Sequence, residues 1–220
     1  MLFSMISSLL LGASVAFAAP LEERHACPTG ISAAEASRVQ RRFREDGVIP
    51  TLIPEIDPRV SLRITYPTVN IDLGTRTTTA QTLNPPTFFF SARRGARQGA
   101  TYSLFLMDSD VPGPDGPPVL GSPRFNFLHW YVSGIRPCTS TGNTVTIYEA
   151  PTPLSPGEQH RYTWLLYEEP VGYAPNVLQA QVRLGFDLSG YVRRGSLGTP
   201  IGGNFMNQSI TNGIVPSAMF

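Results

Sequence analysis

Beyond residue 50 the chain changes rhythm. Ahead of that point, the segment 32–46 (SAAEASRVQRRFRED) places apolar residues at Ala36, Val39 and Phe43, the three-to-four spacing of one helical face. Ser32 is a suitable N-cap with Glu35 at the capping-box position, and Gly47 and Pro50 end the segment. After it, apolar and polar side chains alternate in short runs separated by stretches such as VPGPDGPP and APTPLSPGE. A period of two bounded by Pro/Gly turns predicts strands, here over 61–66, 87–91, 102–107, 127–133, 144–148, 162–167, 181–185 and 204–209. A short surface helix is expected over 186–194. The pattern predicts a mainly β fold, an antiparallel β-sandwich with an N-terminal helix and a short C-terminal helix. No internal repeat and no break in composition marks a second globular unit.

The first eighteen residues carry no charged side chain and hold an apolar block around Leu9, Leu10 and Leu11, closed by Ala16-Phe17-Ala18. The block is too short to span a bilayer and ends in the small residues a signal peptidase reads. The expected organisation is a signal peptide over 1–18, an N-terminal helical extension over 19–47 and one domain over 48–220. The product is expected in the secretory pathway, secreted or held in a vacuole or lumen, and no other run suggests a transmembrane segment. Cys27 and Cys138 are the 2 cysteines of the chain, and a lone pair in that compartment forms a disulfide. Closing a loop of about 110 residues contributes roughly 4–5 kcal/mol on the chain-entropy account. A catalytic thiol or metal pair is disfavoured because no CxxC or clustered Cys/His spacing is present. Asn207-Gln208-Ser209 is a glycosylation sequon, but it falls in a predicted strand.

Composition narrows the chemistry. All 17 basic residues are Arg, so Schiff-base catalysis, pyridoxal-phosphate attachment and a P-loop lack the amine they need. A net charge of +1 argues against a nucleic-acid partner. Asp108, Asp110 and Gly113 imitate an EF-hand loop, yet Pro112 takes a ligand position and Val119 stands where the closing Glu belongs. HExxH and GxSxG are missing. No metal site and no cofactor is expected. Arg93, Arg94 and Arg97 read as a solvated loop.

Of the 3 His, His25 sits in a polar stretch near the N-terminus. His129 stands inside the apolar run NFLHWYV, and His160 opens HRYTWLLYEE directly after a Pro/Gly loop. Asp108 and Asp110 end another predicted strand, at the rim where a sandwich can form a shallow pocket. Two imidazoles and an acid meeting there would make a small anion site, with Tyr162 as a further donor. The competing reading is structural: a His in an apolar strand satisfied in the core, and DSDVPGPDG as a simple turn.

Taken together, DSDVP, FLHWYVSGI and GEQHRYTWLLYEEP resemble the DPDAP block, the ligand-site His strand and the GxHRY segment of the phosphatidylethanolamine-binding protein (PEBP) family. VIPTLIPEIDPRVSLRITYP and FDLSGYVRRGSLGTPIGGNFMNQ resemble that family's opening and its C-terminal helix and last strand. The resemblance implies a β-sandwich and an anion pocket of Asp108, His129, His160 and Tyr162, with Asp110 and Pro112 at the rim and Arg161 in a structural role. Ser109, Val111 and Glu158 depart from the motifs. Three activities are implied. One is binding of a small anion, a phosphate, carboxylate or anhydride. Another is inhibition of a serine carboxypeptidase partner. The third places the protein in a secreted fungal branch that couples maleic-anhydride units into maleidrides, with His129 or His160 moving protons.

Overall fold

A computed structural model describes residues 27–112, 124–153 and 159–210; the expected signal peptide, His25, Gly113, Val119 and Glu158 lie outside them. Helix α1 (Ala33–Glu45) starts at Ser32, whose hydroxyl accepts the Glu35 N–H at 3.1 Å. That bond satisfies one of the donors every helix N-terminus leaves open. Val39 and Phe43 form its buried stripe, with Phe43 edge-on to Phe205 at 5.5 Å between ring centroids. The helix therefore shares the core of the strands.

Among the described residues the strands are β1 (Leu62–Tyr66), β2 (Val69–Ile71), β3 (Thr75–Thr77), β4 (Thr87–Phe90), β5 (Tyr102–Pro112), β6 (Arg124–Ile135), β7 (Asn143–Thr146), β8 (His160–Glu168) and β9 (Gly202–Gln208). Single turns form α2 (Val48–Thr51) and α3 (Val177–Ala180), and α4 (Leu188–Arg194) lies within the expected 186–194. A small sheet runs β2-β1-β4 and a large one β3-β9-β8-β5-β6-β7. All pairings are antiparallel but one: β3 runs parallel to β9 at the edge. Between the sheets, Leu62, Ile64, Phe88 and Phe90 pack with Leu104, Leu106, Trp164 and Leu166. On the outer face of the large sheet, Phe105, Tyr131, Leu165, Tyr167 and Phe205 meet α1 and α4. Gly203 of β9 permits the closest approach, because a Cβ there would lie 2.5 Å from the Phe43 ring.

Two departures from the pattern have local causes. The segment 181–185 is not a strand: Gln181 caps α3, and a single bridge joins Leu184 to Phe127. Its alternation is inverted, because Arg183 turns inward to the Leu128, His129 and Ile147 carbonyls. Val182 and Leu184 are left exposed. Strand β5 runs five residues past its expected end, carrying Asp108 and Asp110 within the sheet.

Cys27 and Cys138 are disulfide-bonded with Cα atoms 5.7 Å apart, and the Cys138 N–H donates to Phe90 O at 3.0 Å. The bond holds the segment leading into α1 against the β4 edge. Asn207 is 7% exposed in β9, between β3 and β8.

Candidate functional site

Neighbouring strands β5, β6 and β8 bring three sequence segments to one end of the large sheet. Two bulges decide which side chains meet there. On β6, Leu106 pairs with Trp130 but Met107 with Leu128. The extra residue is His129, so its ring turns to the same side as Trp130 instead of the opposite one. On β5, Asp108 pairs with Phe127 and Val111 with Phe125, again with one residue too many on one strand. Strict alternation would put Asp108 and Asp110 on one face. The bulge separates them: Asp108 meets His160, whereas Asp110 meets Arg161, the next residue along and on the other face.

Asp108 is the centre of the arrangement. One oxygen accepts the His160 Nδ1–H at 2.7 Å and the other the Asp110 N–H at 2.8 Å. His129 Nε2 stands 4.0 Å from Asp108 Oδ2, and its Nδ1–H donates to Glu149 O at 2.8 Å. A carbonyl can only accept, so this bond fixes the proton of the neutral ring on Nδ1 and leaves Nε2 toward Asp108. Tyr162 lies edge-on to His129 and stacked with His160, at 5.1 and 6.1 Å between ring centroids. A cavity of about 470 Å³ opens over these groups, walled by Val111, Pro112, Phe127, Ala150, Thr152 and Leu184 with Glu149.

Burial outweighs the attraction of Asp108 and holds the His129 imidazole below its usual range. Burial, reinforced by the Asp108 charge, pushes the Tyr162 phenol far up, so it stays protonated and serves as a donor. Asp110 behaves differently. Burial pushes its carboxyl up, but the hydrogen bonds and charge of Arg161, with Arg124 beyond, win and hold it below the usual carboxylate range.

Asp108, Pro112, His129, His160 and Tyr162 thus line one cavity. Asp110 does not: it is 4% exposed and takes the Arg161 fork at 2.7 and 2.8 Å. Arg161 also donates to Asp46 O at 2.9 Å, tying β8 to the end of α1. Two further residues support the cavity without a motif to announce them. Arg183 gathers the Leu128, His129 and Ile147 carbonyls and faces Glu149 at 3.3 Å. Buried Gln208 donates to Pro151 O at 2.7 Å and accepts from Thr77 and Thr82, which holds the wall at Ala150 and Thr152. Among the described residues no three His, Cys, Asp or Glu side chains are grouped to hold a metal ion. The set can hydrogen-bond an anion, or relay a proton through an Asp-anchored imidazole.

A family profile described as phosphatidylethanolamine-binding protein matches residues 65–214. The 26 kDa secreted antigen of Toxocara canis is 28% identical over 170 residues, 74% of this chain and 61% of that protein, so the chain spans under two thirds of that relative. The carboxypeptidase Y inhibitor, solved with its cognate proteinase, shares the fold at TM-score 0.64 and 18% identity, covering 79% of this chain and 96% of the other. A phosphatidylethanolamine-binding protein from Plasmodium vivax shares it at TM-score 0.63 and 21% identity, covering 77% and 96%.

Proposed function

The chain belongs to the phosphatidylethanolamine-binding protein family, and on that footing we propose that its cavity binds a small anion, the phosphate or carboxylate group of a larger ligand. The supporting observation is the convergence of His129, His160 and Tyr162 around Asp108 in one cavity. Burial keeps the His129 imidazole below its usual range, and the ring takes up a proton as the anion enters. Each charge-assisted hydrogen bond contributes roughly 1.5–3 kcal/mol in such a place. The apolar walls at Val111, Phe127 and Leu184 suit the non-ionic part of the ligand.

Calorimetric titration of the mature protein with phosphoethanolamine, succinate and sulfate tests this reading. Saturable binding that disappears in His129→Ala and His160→Ala is expected, and unchanged affinity in both variants would overturn it. The same titration with an alkyl maleic anhydride, followed by product analysis, distinguishes binding from coupling with loss of CO₂. The apolar leader, the Cys27–Cys138 bond and the secreted relative support a place in the secretory pathway. The fold shared with the carboxypeptidase Y inhibitor favours a second reading, inhibition of a serine carboxypeptidase. An inhibition assay with that enzyme class tests it, and activity retained at saturating protein argues against it.

A further inference from the structure

A second cavity lies on the other face of the large sheet. Tyr162 and Tyr167 stand five residues apart on β8, about 17 Å at strand rise, and belong to different cores: Tyr162 packs between the sheets, Tyr167 against the helices. Beside Tyr167 a recess of about 430 Å³ runs between the chain after α2, one stripe of α4 and the turn leading into β9. Its walls are Leu52, Ile53, Leu188, Val192 and Pro200. That volume falls within the range of small-molecule sites and far exceeds the voids of a packed interior.

Tyr167 supplies a second, independent sign. It lines this recess, is 1% exposed, and its hydroxyl makes no hydrogen bond among the described residues. A phenol O–H that lines the recess and is bonded to no protein group is a donor that an incoming acceptor can engage. Burial also pushes the phenol above its usual range, so the proton remains available for donation. Glu55 and Arg193, opposite in charge, also line the recess and are both exposed. Leu52, Ile53, Leu188, Val192 and Pro200 favour an uncharged molecule over an ion, which would lose hydration among them.

We propose that this recess binds a small, uncharged, largely apolar molecule that presents one acceptor oxygen to the Tyr167 hydroxyl. The site is separate from the His129–His160 cavity, and its occupancy does not depend on that cavity's ligand.

Methyl and histidine-ring NMR of the full mature chain, titrated with acetophenone and with its shape match α-methylstyrene, tests the assignment. The two probes differ in the carbonyl oxygen alone. Saturating shifts at Leu52, Ile53, Leu188 and Val192 methyls are expected with acetophenone, with the His129 and His160 ring signals still. Acetophenone should bind about fivefold more tightly than α-methylstyrene, the contribution of one neutral hydrogen bond. Tyr167→Phe should erase that preference, and Val192→Trp should fill the recess and abolish both titrations. Should either variant lose its folded spectrum, the two-probe comparison in the parent protein decides alone. Non-saturating shifts, equal affinity for the two probes, or shifts confined to the histidine cavity would overturn the proposal.

Discussion

Asp108 and Asp110 stand two residues apart on β5 and are nearly equally buried, at 2% and 4% exposure, yet they belong to different parts of the molecule. Asp110 is saturated by the Arg161 fork and the Arg161 N–H, with Arg124 at 3.8 Å. Asp108 has one imidazole, one amide and a cavity in front of it. A bulge one residue deep produces this division, by sending the two carboxylates to opposite faces of the same strand. A buried charge closed off by its partners is architecture. A buried charge that faces open space is where binding chemistry is available.

The largest expected effect breaks the closed pair. Asp110→Asn leaves Arg161, partly buried at 19% side-chain exposure, without its carboxylate. Denaturant unfolding should show a loss of about 3–5 kcal/mol. Asp108→Asn should lose no more than about 1–2 kcal/mol while weakening the affinity for sulfate. Equal losses in the two variants would erase the distinction between them.

Next in size is affinity. His129→Ala should lower sulfate binding roughly tenfold to a hundredfold, the range of one charge-assisted hydrogen bond, as read by calorimetry. Proton linkage then sharpens the contrast. Sulfate keeps its charge from pH 8 to pH 5, so a change in its affinity reports the protein. Since His129 is held low in the free protein and an anion favours its imidazolium, affinity should rise as pH falls, by up to about tenfold per unit. Stability follows the opposite sign for this group. The unfolded chain takes up the proton first, near pH 6.5, so unliganded stability should decline as pH drops below that value. The Asp110 contribution has its own window: present above the unfolded carboxylate value, it is lost as pH falls through the lower folded one. Urea unfolding at a series of pH values should resolve a loss tied to His129→Gln and a more acidic one tied to Asp110→Asn.

Arg183→Lys should have the smallest effect. An ammonium cannot reproduce contacts to three carbonyls. A few-fold loss of sulfate affinity is expected, with a shift of the His129 ring nitrogens away from the Nδ1–H tautomer.

Much of this was legible in the sequence. Helix α1, the core strands and the disulfide follow from spacing, alternation and compartment. Asp108, His129, His160 and Tyr162 stand in segments similar to a family's motifs, and the fold brings them together. The opposite faces of Asp108 and Asp110 were not legible, because a bulge adds one residue to a strand without any residue type that announces it. Strands β2 and β3, three residues each, are too short to establish a period. The segment 181–185 misled because Arg183, polar but inward, reversed the sense of its alternation. The Tyr167 recess had no motif at all, since it arises where α4 and two connecting turns meet.

The most direct measurement is long-range ¹H–¹⁵N NMR of the histidine rings at pH 6.5, titrated with phosphoethanolamine. Saturating shifts are expected at both His129 and His160, with His129 passing from the Nδ1–H tautomer to the imidazolium as the site fills. Unmoved ring signals at saturating ligand, or a His129 that stays neutral while the ligand binds, would contradict this expectation.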